Sequence, residues 1–456
     1  MKFRSTIVIC VLAAIGVLAA ALTERYVPRD AKRRSGEPVR LMEVGELPID
    51  DVNRIRLALD GEPARIYERE GDVWRQTEPF PHPMDPFSMR ELVRTAADVL
   101  VLDEVEVDLL RPATLGFAPP KAILELTWPD GKMTFTLGRV AIAGRAYLQR
   151  EGDKGVYVVD QALHDRATGM NEREWRDRRL FHDIGVESER IEVRVADIDA
   201  VLVRRRKKWG MESPVRARVD QAALDDLFSV LGRASASGFI IDQPESLGKF
   251  GLEPPAGTIA VFTPQEGSDE GPGLPGMSMQ RLRLGGRIGV GTQDRFGMME
   301  GRPVVLRLAA NVWPRLVPDP ATLIEPTATG VEPADVKRIR ITTKRDQIDL
   351  ERDLERWRAP SHGGVEVPSE IVRELLSFLH ELRATRVKLV PYPHEYEKAT
   401  ITLYGSGNHP LDTVRIVREP ESEGSRWGAE NGDDALRVYP AELEIPLEPQ
   451  AFGLPR

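Results

Sequence analysis

The fold is decided by a stretch that the chain repeats three times, and its clearest copy is ERIEVRVADIDAVLVRRRKKWGMESP at residues 189–214. An alternating apolar run opens this stretch, and a tryptophan and then a proline close it. The same alternation opens at residues 53–57 and 337–341, and a tryptophan follows its first isoleucine after 19, 18 and 18 residues in the three copies. These tryptophans are Trp74, Trp209 and Trp357, and the prolines are Pro79, Pro214 and Pro360. The recurrence predicts three structural units built on one plan.

One amphipathic helix is predicted in each unit. Leu92, Leu227 and Leu375 each lie 18 residues beyond the tryptophan, among apolar residues at helical spacing. Ser88 with Glu91 has the spacing of a capping box. Asp220 and Ser369 are the predicted N-caps of the second and third helices.

A Gly-x-x-Pro-Pro element follows the helix in the first two units, in both cases 42 residues after the tryptophan. The third unit has the opening strand, Trp357 and the helix but lacks this element, so we expect it to be diverged. The tryptophans, glycines and prolines are candidate structural markers of the repeat: Trp74, Gly116, Pro119, Pro120, Trp209, Gly251, Pro254, Pro255 and Trp357.

Further alternating runs, among them 123–128 and 258–263, predict strands after this element. Each unit is expected to pack its helix on one face of a small, mostly antiparallel sheet, with the tryptophan in the layer between them. The predicted class is therefore α+β. The predicted organisation is a transmembrane anchor at 1–23, a basic linker at 24–40, repeat unit 1 at 41–185, repeat unit 2 at 186–325 and a diverged repeat unit 3 at 326–456.

The anchor is predicted from residues 5–23, which carry no charge and, as a helix, approach the thickness of a bilayer. We expect a single-pass protein of the inner membrane with its body outside the cytoplasm. A signal peptide cleaved near Ala19-Ala20-Ala21 is an alternative. The basic residues at 25–34 favour the opposite orientation.

Cys10 is the only cysteine and lies in the apolar segment 5–23, so disulfides and thiolate metal sites are excluded from the rest of the chain.

The charge balance argues against a nucleic-acid partner. The formal net charge is −9, and residues 1–40 carry +5 (eight Lys and Arg against three Asp and Glu), which leaves −14 on the remainder. An acidic body repels a phosphate backbone.

These features resemble the domain-of-unknown-function 4340 family of bacterial envelope proteins. The resemblance lies in the N-terminal apolar segment, in Trp74 to Pro79 and Trp209 to Pro214, in residues 250–255 (FGLEPP), in Leu137-Gly138 and in Val156-Tyr157. The first unit departs from the family pattern by reading Leu115-Gly116-Phe117. The resemblance implies an accessory role beside ABC transport systems of the gliding-motility type, and it implies no catalytic residue.

No enzyme, cofactor or metal is predicted from the sequence. The seven histidines show no ligand spacing, and residues 394–397 (HEYE) are interpreted as a solvated loop. The glycines of residues 285–291 (GGRIGVG) do not match a phosphate-binding loop and are interpreted as a turn. The basic run RRRKK at 204–208 is interpreted as a solvated hairpin turn, with an anionic-ligand patch as the alternative.

The leading functional hypothesis is a non-catalytic, membrane-anchored accessory protein that binds subunits of an ABC transporter. A module for envelope polysaccharide or peptidoglycan is the alternative, and it would need open rings at Tyr147, Trp175 or Trp427. A hydrolase is the third hypothesis, and it would need two close carboxylates or a Ser-His pair in a concave pocket.

Overall fold

The computed structural model describes residues 38–105, 112–169, 171–264, 276–390, 394–407, 409–418 and 426–455. The chain divides into two compact units. Among the described residues, unit 1 comprises those up to Arg178 together with Gly301–Pro303, and unit 2 comprises those from Arg179 to Glu300 and from Val304 onward. Unit 1 and unit 2 denote these two compact units from here on, and the predicted repeat units are called repeats.

Unit 1 contains one ten-stranded antiparallel sheet, with the order β1-β6-β10-β9-β8-β7-β2-β3-β4-β5. Its strands are β1 (Val39–Arg40), β2 (Arg54–Leu59), β3 (Arg65–Glu70), β4 (Val73–Glu78), β5 (His82–Met84), β6 (Leu100–Val105), β7 (Ala122–Trp128), β8 (Gly131–Val140), β9 (Arg145–Arg150) and β10 (Val156–Asp160). Ile55 of β2 lies opposite Tyr67 of β3 and Leu126 of β7, and all three are buried. Alternation with period two thus gives the sheet its apolar face.

Helix α1 (Pro86–Ala97) packs on that face through Met89, Leu92, Val93 and Ala96. The predicted capping box of Ser88 with Glu91 is wrong. Asp85 is the N-cap, and its Oδ2 accepts hydrogen bonds from the backbone N–H (2.9 Å) and the hydroxyl (2.7 Å) of Ser88. Pro86 occupies the first turn, where a missing N–H costs nothing. Shorter helical turns span Pro112–Leu115, Ala162–His164, Asp165–Gly169 and Glu172–Trp175.

The first sheet of unit 2 has nine antiparallel strands in the order β14-β13-β12-β11-β16-β17-β18-β19-β15. They are β11 (Arg190–Val195), β12 (Ile198–Arg205), β13 (Lys208–Ser213), β14 (Ala217–Arg218), β15 (Gly238–Asp242), β16 (Gly257–Pro264), β17 (Met277–Arg287), β18 (Arg295–Met299) and β19 (Val304–Leu308). Helix α2 (Gln221–Arg233) follows β14, and the predicted N-cap Asp220 is confirmed because it accepts from the N–H groups of Ala222 and Ala223. Helical turns span Gly248–Phe250, Trp313–Leu316 and Pro320–Leu323.

The second sheet of unit 2 also has nine antiparallel strands, in the order β23-β22-β21-β20-β25-β26-β27-β28-β24. They are β20 (Arg338–Thr343), β21 (Gln347–Asp353), β22 (Arg356–Ala359), β23 (Val365–Val367), β24 (Arg386–Lys388), β25 (Glu397–Tyr404), β26 (Pro410–Arg418), β27 (Trp427–Glu430) and β28 (Leu436–Tyr439). Helix α3 (Ser369–His380) has Pro368 as its N-cap, one residue before the predicted Ser369. Helical turns span Pro360–His362, His394–Tyr396 and Pro449–Phe452.

The three sheets share one topology. If β1 is set aside, the strands of each sheet occur in the same spatial order, and each sheet receives its long helix between its fourth and fifth strands along the chain. The third repeat is therefore complete in strands, although it lacks the Gly-x-x-Pro-Pro element.

The predicted α+β class is wrong, because sheets of nine or ten strands dominate each repeat and one helix of 12 or 13 residues accompanies each sheet. The described chain is mostly antiparallel β. The prediction underestimated the sheets because edge strands of two or three residues, such as β14 and β23, are too short to show an alternating pattern.

The predicted localisation is also corrected. No helix in the described ranges is both long and apolar enough to cross a bilayer. The longest, α2, has 13 residues and spans about 20 Å, against about 30 Å of hydrocarbon. The described residues therefore do not bear out the predicted single-pass placement in the inner membrane. The whole predicted anchor (1–23) lies outside the described residues, and so do residues 24–37 of the predicted linker (24–40).

Candidate anion-binding groove

The three tryptophan markers do not share one environment. Trp74 and Trp357 are buried, with 4% and 5% of their surface exposed, and each belongs to the core of its repeat. Trp209 is only half-buried and meets Phe228 of α2 edge to face, with the ring centroids 5.6 Å apart. The second tryptophan is therefore partly accessible where its counterparts are not.

The Gly-x-x-Pro-Pro markers hold a turn against the sheet. Gly116 and Gly251 both have positive φ, at 80° and 64°, and a Cβ on Gly251 would lie 2.9 Å from the backbone nitrogen of Gly286. The peptide bonds before Pro119 and Pro254 are both cis, and Pro120 and Pro255 form isolated bridges to Phe117 and Leu252. Gly285, in the run GGRIGVG, leaves room for the carbonyl of Phe250, which would lie 2.4 Å from an added Cβ.

Residues that could bind a metal or act in catalysis do not form a site among the described residues outside the repeat markers. Among the described residues, no group of three His, Cys, Asp or Glu could hold a metal ion. His394 lies on an exposed turn, 3.5 Å from Glu397. Ser361 and His362 form a Ser-His contact of 2.9 Å, but they are adjacent residues on a surface turn, and the Ser361 hydroxyl accepts from the N–H of Asp349. The contact is exposed, whereas a hydrolase requires its catalytic groups in a concave pocket.

The aromatic residues proposed for sugar binding offer little open ring surface. Trp175 is 1% exposed. Tyr147 and Trp427 are half-buried, and guanidinium groups lie over their rings: Arg139 at 5.8 Å and Arg418 at 4.3 Å. The Nε1–H of Trp427 also donates to the carbonyl of Leu443, at 2.7 Å.

The basic run forms the tip of the β12–β13 hairpin, as the sequence predicted. Arg206 and Lys207 are its two turn residues, both with positive φ (49° and 69°), and both are exposed. Two consecutive positive φ values match the twist of adjacent antiparallel strands, although Asn and Gly are the usual residues there. Arg205 and Lys208 close the hairpin as the last paired residues.

A groove of about 1060 Å³ lies beside this hairpin, entirely within unit 2. One wall consists of β12, β13 and β14, with Trp209 and Met211 among its residues. The opposite wall comes from the third repeat and contains Gly330 and the turn between β27 and β28. Its polar and charged lining residues are Arg205, Lys207, Lys208, Glu212, Arg216, Arg218, Gln221, Glu325, Asn431 and Asp433.

A network between the second and third repeats fixes the two walls. Arg218 Nε donates to Glu325 (2.9 Å), and Arg218 Nη2 donates to the carbonyl of Thr327 (3.0 Å). The buried Arg437 binds Asp433 through two hydrogen bonds of 2.9 and 2.7 Å. The N–H of Asp434 donates to the carbonyl of Arg216 at 3.0 Å, which joins the turn directly to the opposite wall. These intramolecular contacts hold the two walls of the groove together.

The charges in the groove are unequally compensated. Its three carboxylates, Glu212, Glu325 and Asp433, each pair with an arginine: Arg205, Arg218 and Arg437. Lys207, Lys208 and Arg216 are exposed and have no carboxylate within 4.0 Å among the described residues. Three positive charges therefore remain uncompensated in a chain whose net charge is −9.

Sequence reasoning identified the basic hairpin but not the groove. The opposite wall comes from residues 431–433, more than 200 positions further along the chain. The only signals in the sequence were the basic run and its position directly before a repeat tryptophan.

The comparisons with known proteins match one family. Its model, described as a domain of unknown function (DUF4340), matches residues 74–208 and 209–408, so the two matches begin at Trp74 and Trp209. No curated protein and no solved structure matches the chain.

Proposed function

This chain belongs to the DUF4340 family, and on that premise we propose that it is a non-catalytic accessory protein that binds a subunit of an ABC transport system. The family resemblance supports the transport context. The groove of unit 2 supports binding as the activity.

The composition of the groove is the observation that carries this proposal. None of the described residues that line it is a Ser, Thr, Cys or His, and each of its carboxylates is held by an arginine. A nucleophile and a free general base are the usual requirements of hydrolytic chemistry. A preformed surface with uncompensated charge is instead suited to recognising a partner.

Affinity capture of the full-length chain tests the proposal. The tagged chain is expressed in its native host, cross-linked, extracted in detergent and analysed by quantitative mass spectrometry. We expect ABC transporter subunits to be enriched, and we expect Lys207→Glu/Lys208→Glu to reduce their recovery. Recovery of the bait without transporter subunits contradicts the proposal.

The matched control is Lys344→Glu/Arg345→Glu. These two residues are also exposed cations in a hairpin turn of unit 2, between β20 and β21, and they do not line the groove. Both double variants change the charge by the same amount, so a general effect of charge would reduce capture equally. If both double variants reduced the capture of transporter subunits equally, the groove would not be the binding site for those subunits.

A further inference from the structure

The turn at the tip of the β12–β13 hairpin places two charged residues in an unfavourable backbone conformation. A left-handed backbone is unfavourable for a residue with a Cβ, and both Arg206 and Lys207 adopt it. Asn or Gly would form this turn at lower cost. The hairpin instead presents long cationic side chains, and Lys208 follows them directly.

The wall opposite the hairpin is rigid and sterically open. Gly432 has a φ of 61°, and a Cβ built there would meet no atom within 4 Å. Asn431 donates to the carbonyl of Ala328 (2.9 Å) and to Asp412 (2.5 Å), so the turn is held from within the third repeat. A ligand at this wall would meet exposed backbone and little side-chain bulk.

The size of the groove indicates the form of its ligand. A volume of about 1060 Å³ is at the upper end of the roughly 300–1,000 Å³ typical of small-molecule pockets. A single phosphate or carboxylate would fill a small part of it. Three separate cations suit a longer ligand with spaced negative charges.

A peptide fits this description better than a nucleic acid. The acidic chain repels a continuous phosphate backbone, and that repulsion extends roughly a Debye length of 10 Å at moderate salt. An extended peptide advances about 3.3 Å per residue and alternates its side chains between two sides. It can therefore direct its carboxylates to the cations while the side chains between them turn away from the hairpin.

We propose that this groove binds an extended, acidic segment of a protein partner, with its carboxylates on Lys207, Lys208 and Arg216. This inference rests on the proposed function and names the chemistry by which the partner is recognised. The arginines already paired with Glu212, Glu325 and Asp433 hold the groove in shape, and the three uncompensated cations bind the segment.

Fluorescence anisotropy with the full-length chain tests the inference. The probe is a fluorescein-labelled peptide of about ten residues with alternating glutamate and leucine, and its control replaces every glutamate with glutamine. We expect the acidic peptide to bind and the glutamine peptide not to bind. We also expect affinity to fall as salt rises, because exposed charge pairs are screened.

Groove variants locate the binding. Lys207→Glu/Lys208→Glu should weaken acidic-peptide binding by about tenfold or more, because attraction becomes repulsion at two exposed sites. Arg216→Gln, which adds no negative charge, should weaken it about threefold. Lys344→Glu/Arg345→Glu should leave it within about twofold. Unchanged circular dichroism spectra and melting temperatures establish that the variants fold.

Several results would overturn the inference. They are equal binding of the glutamine peptide, insensitivity to the groove variants, or tighter groove-dependent binding of inorganic phosphate or duplex DNA. Its failure is distinguishable from failure of the proposed function. Transporter subunits captured without acidic-peptide binding would contradict only the inference, and peptide binding without captured subunits would contradict only the transport role.

Discussion

Gly251 is a residue whose identity the backbone dictates for two reasons. Its φ of 64° strains any residue with a Cβ, and that Cβ would lie 2.9 Å from the backbone nitrogen of Gly286. We expect Gly251→Ala to destabilise unit 2 by about 2–4 kcal/mol, the sum of left-handed strain and steric overlap. Gly363 has a φ of 74° but nothing within 4 Å, so Gly363→Ala should cost only the strain, about 1–2 kcal/mol. Urea denaturation followed by tryptophan fluorescence measures both, and equal losses would contradict the role of the contact.

His164 should make unit 1 sensitive to mild acid. Its Nε2–H donates to the carbonyl of Tyr147 at 2.9 Å, and burial lowers the pKa of the imidazole below its usual 6.5. Above pH 6.5 the residue is neutral in both the folded and the unfolded chain, so its contribution to stability is complete. Below pH 6.5 the unfolded chain takes up the proton first, so stability falls until the pH reaches the folded pKa.

The variant His164→Gln keeps a donor for Tyr147 and removes the titration. Between pH 7.5 and 5, we expect wild-type unfolding free energy to fall with a slope of up to about 1.4 kcal/mol per pH unit more than that of the variant. His394→Gln, at an exposed position, should behave like the wild type. If wild type and His164→Gln lose stability in parallel, the buried imidazole is not the cause.

The start of α2 combines two interactions of one side chain. Asp220 caps the helix through the N–H of Ala222 (2.9 Å), and its other oxygen accepts from Arg383 at 2.5 Å. Asp220→Asn retains a capping oxygen and loses the ion pair, whereas Asp220→Ala loses both. We expect Asn to cost under about 1 kcal/mol and Ala about 1–3 kcal/mol, because a lost cap typically costs about 1 kcal/mol by itself. Thermal denaturation of the two variants measures the difference, and equal losses would show that the cap contributes nothing.

The helices and the N-cap Asp220 were predicted correctly because the pattern that defines them lies in neighbouring residues of the chain. The three helices were placed correctly because apolar residues at helical spacing fall on one face, and Asp220 was identified because a cap acts on the next residues along the chain. The sheets were underestimated for the opposite reason. β15 pairs with β19, more than 60 residues later, and β14 has two residues, so neither strand shows a local pattern of its own.

The groove could not be predicted, because it belongs to the arrangement of two repeats. The basic hairpin was visible in the sequence, and an isolated hairpin of this composition is a solvated turn. Its significance comes from Asn431 to Asp433 on the opposite wall and from the arginines that already neutralise every carboxylate in the groove. Which charges remain uncompensated is a property of the folded chain.

Arg437 connects the assembly of unit 2 to the charge of the groove. It is fully buried, it holds Asp433 through two hydrogen bonds, and its Nε donates to the carbonyl of Glu325 at 2.8 Å. Arg437→Met keeps much of the volume but leaves Asp433 without its cation. Removing one partner of a buried pair typically costs about 3–5 kcal/mol. Asp433→Asn in the same chain removes the uncompensated charge and should restore part of that stability.

Arg437→Met should change both the hydrogen–deuterium exchange of the groove wall and the affinity for the acidic peptide. Hydrogen–deuterium exchange at the Asp434 amide, which is bonded to Arg216, should accelerate in the single variant and slow again in the double variant. The uncompensated Asp433 should also weaken acidic-peptide binding about threefold or more, and Asp433→Asn should reverse that loss because it removes a repelling carboxylate. If exchange recovers in the double variant while peptide binding stays unchanged in both, the ligand does not contact this wall of the groove.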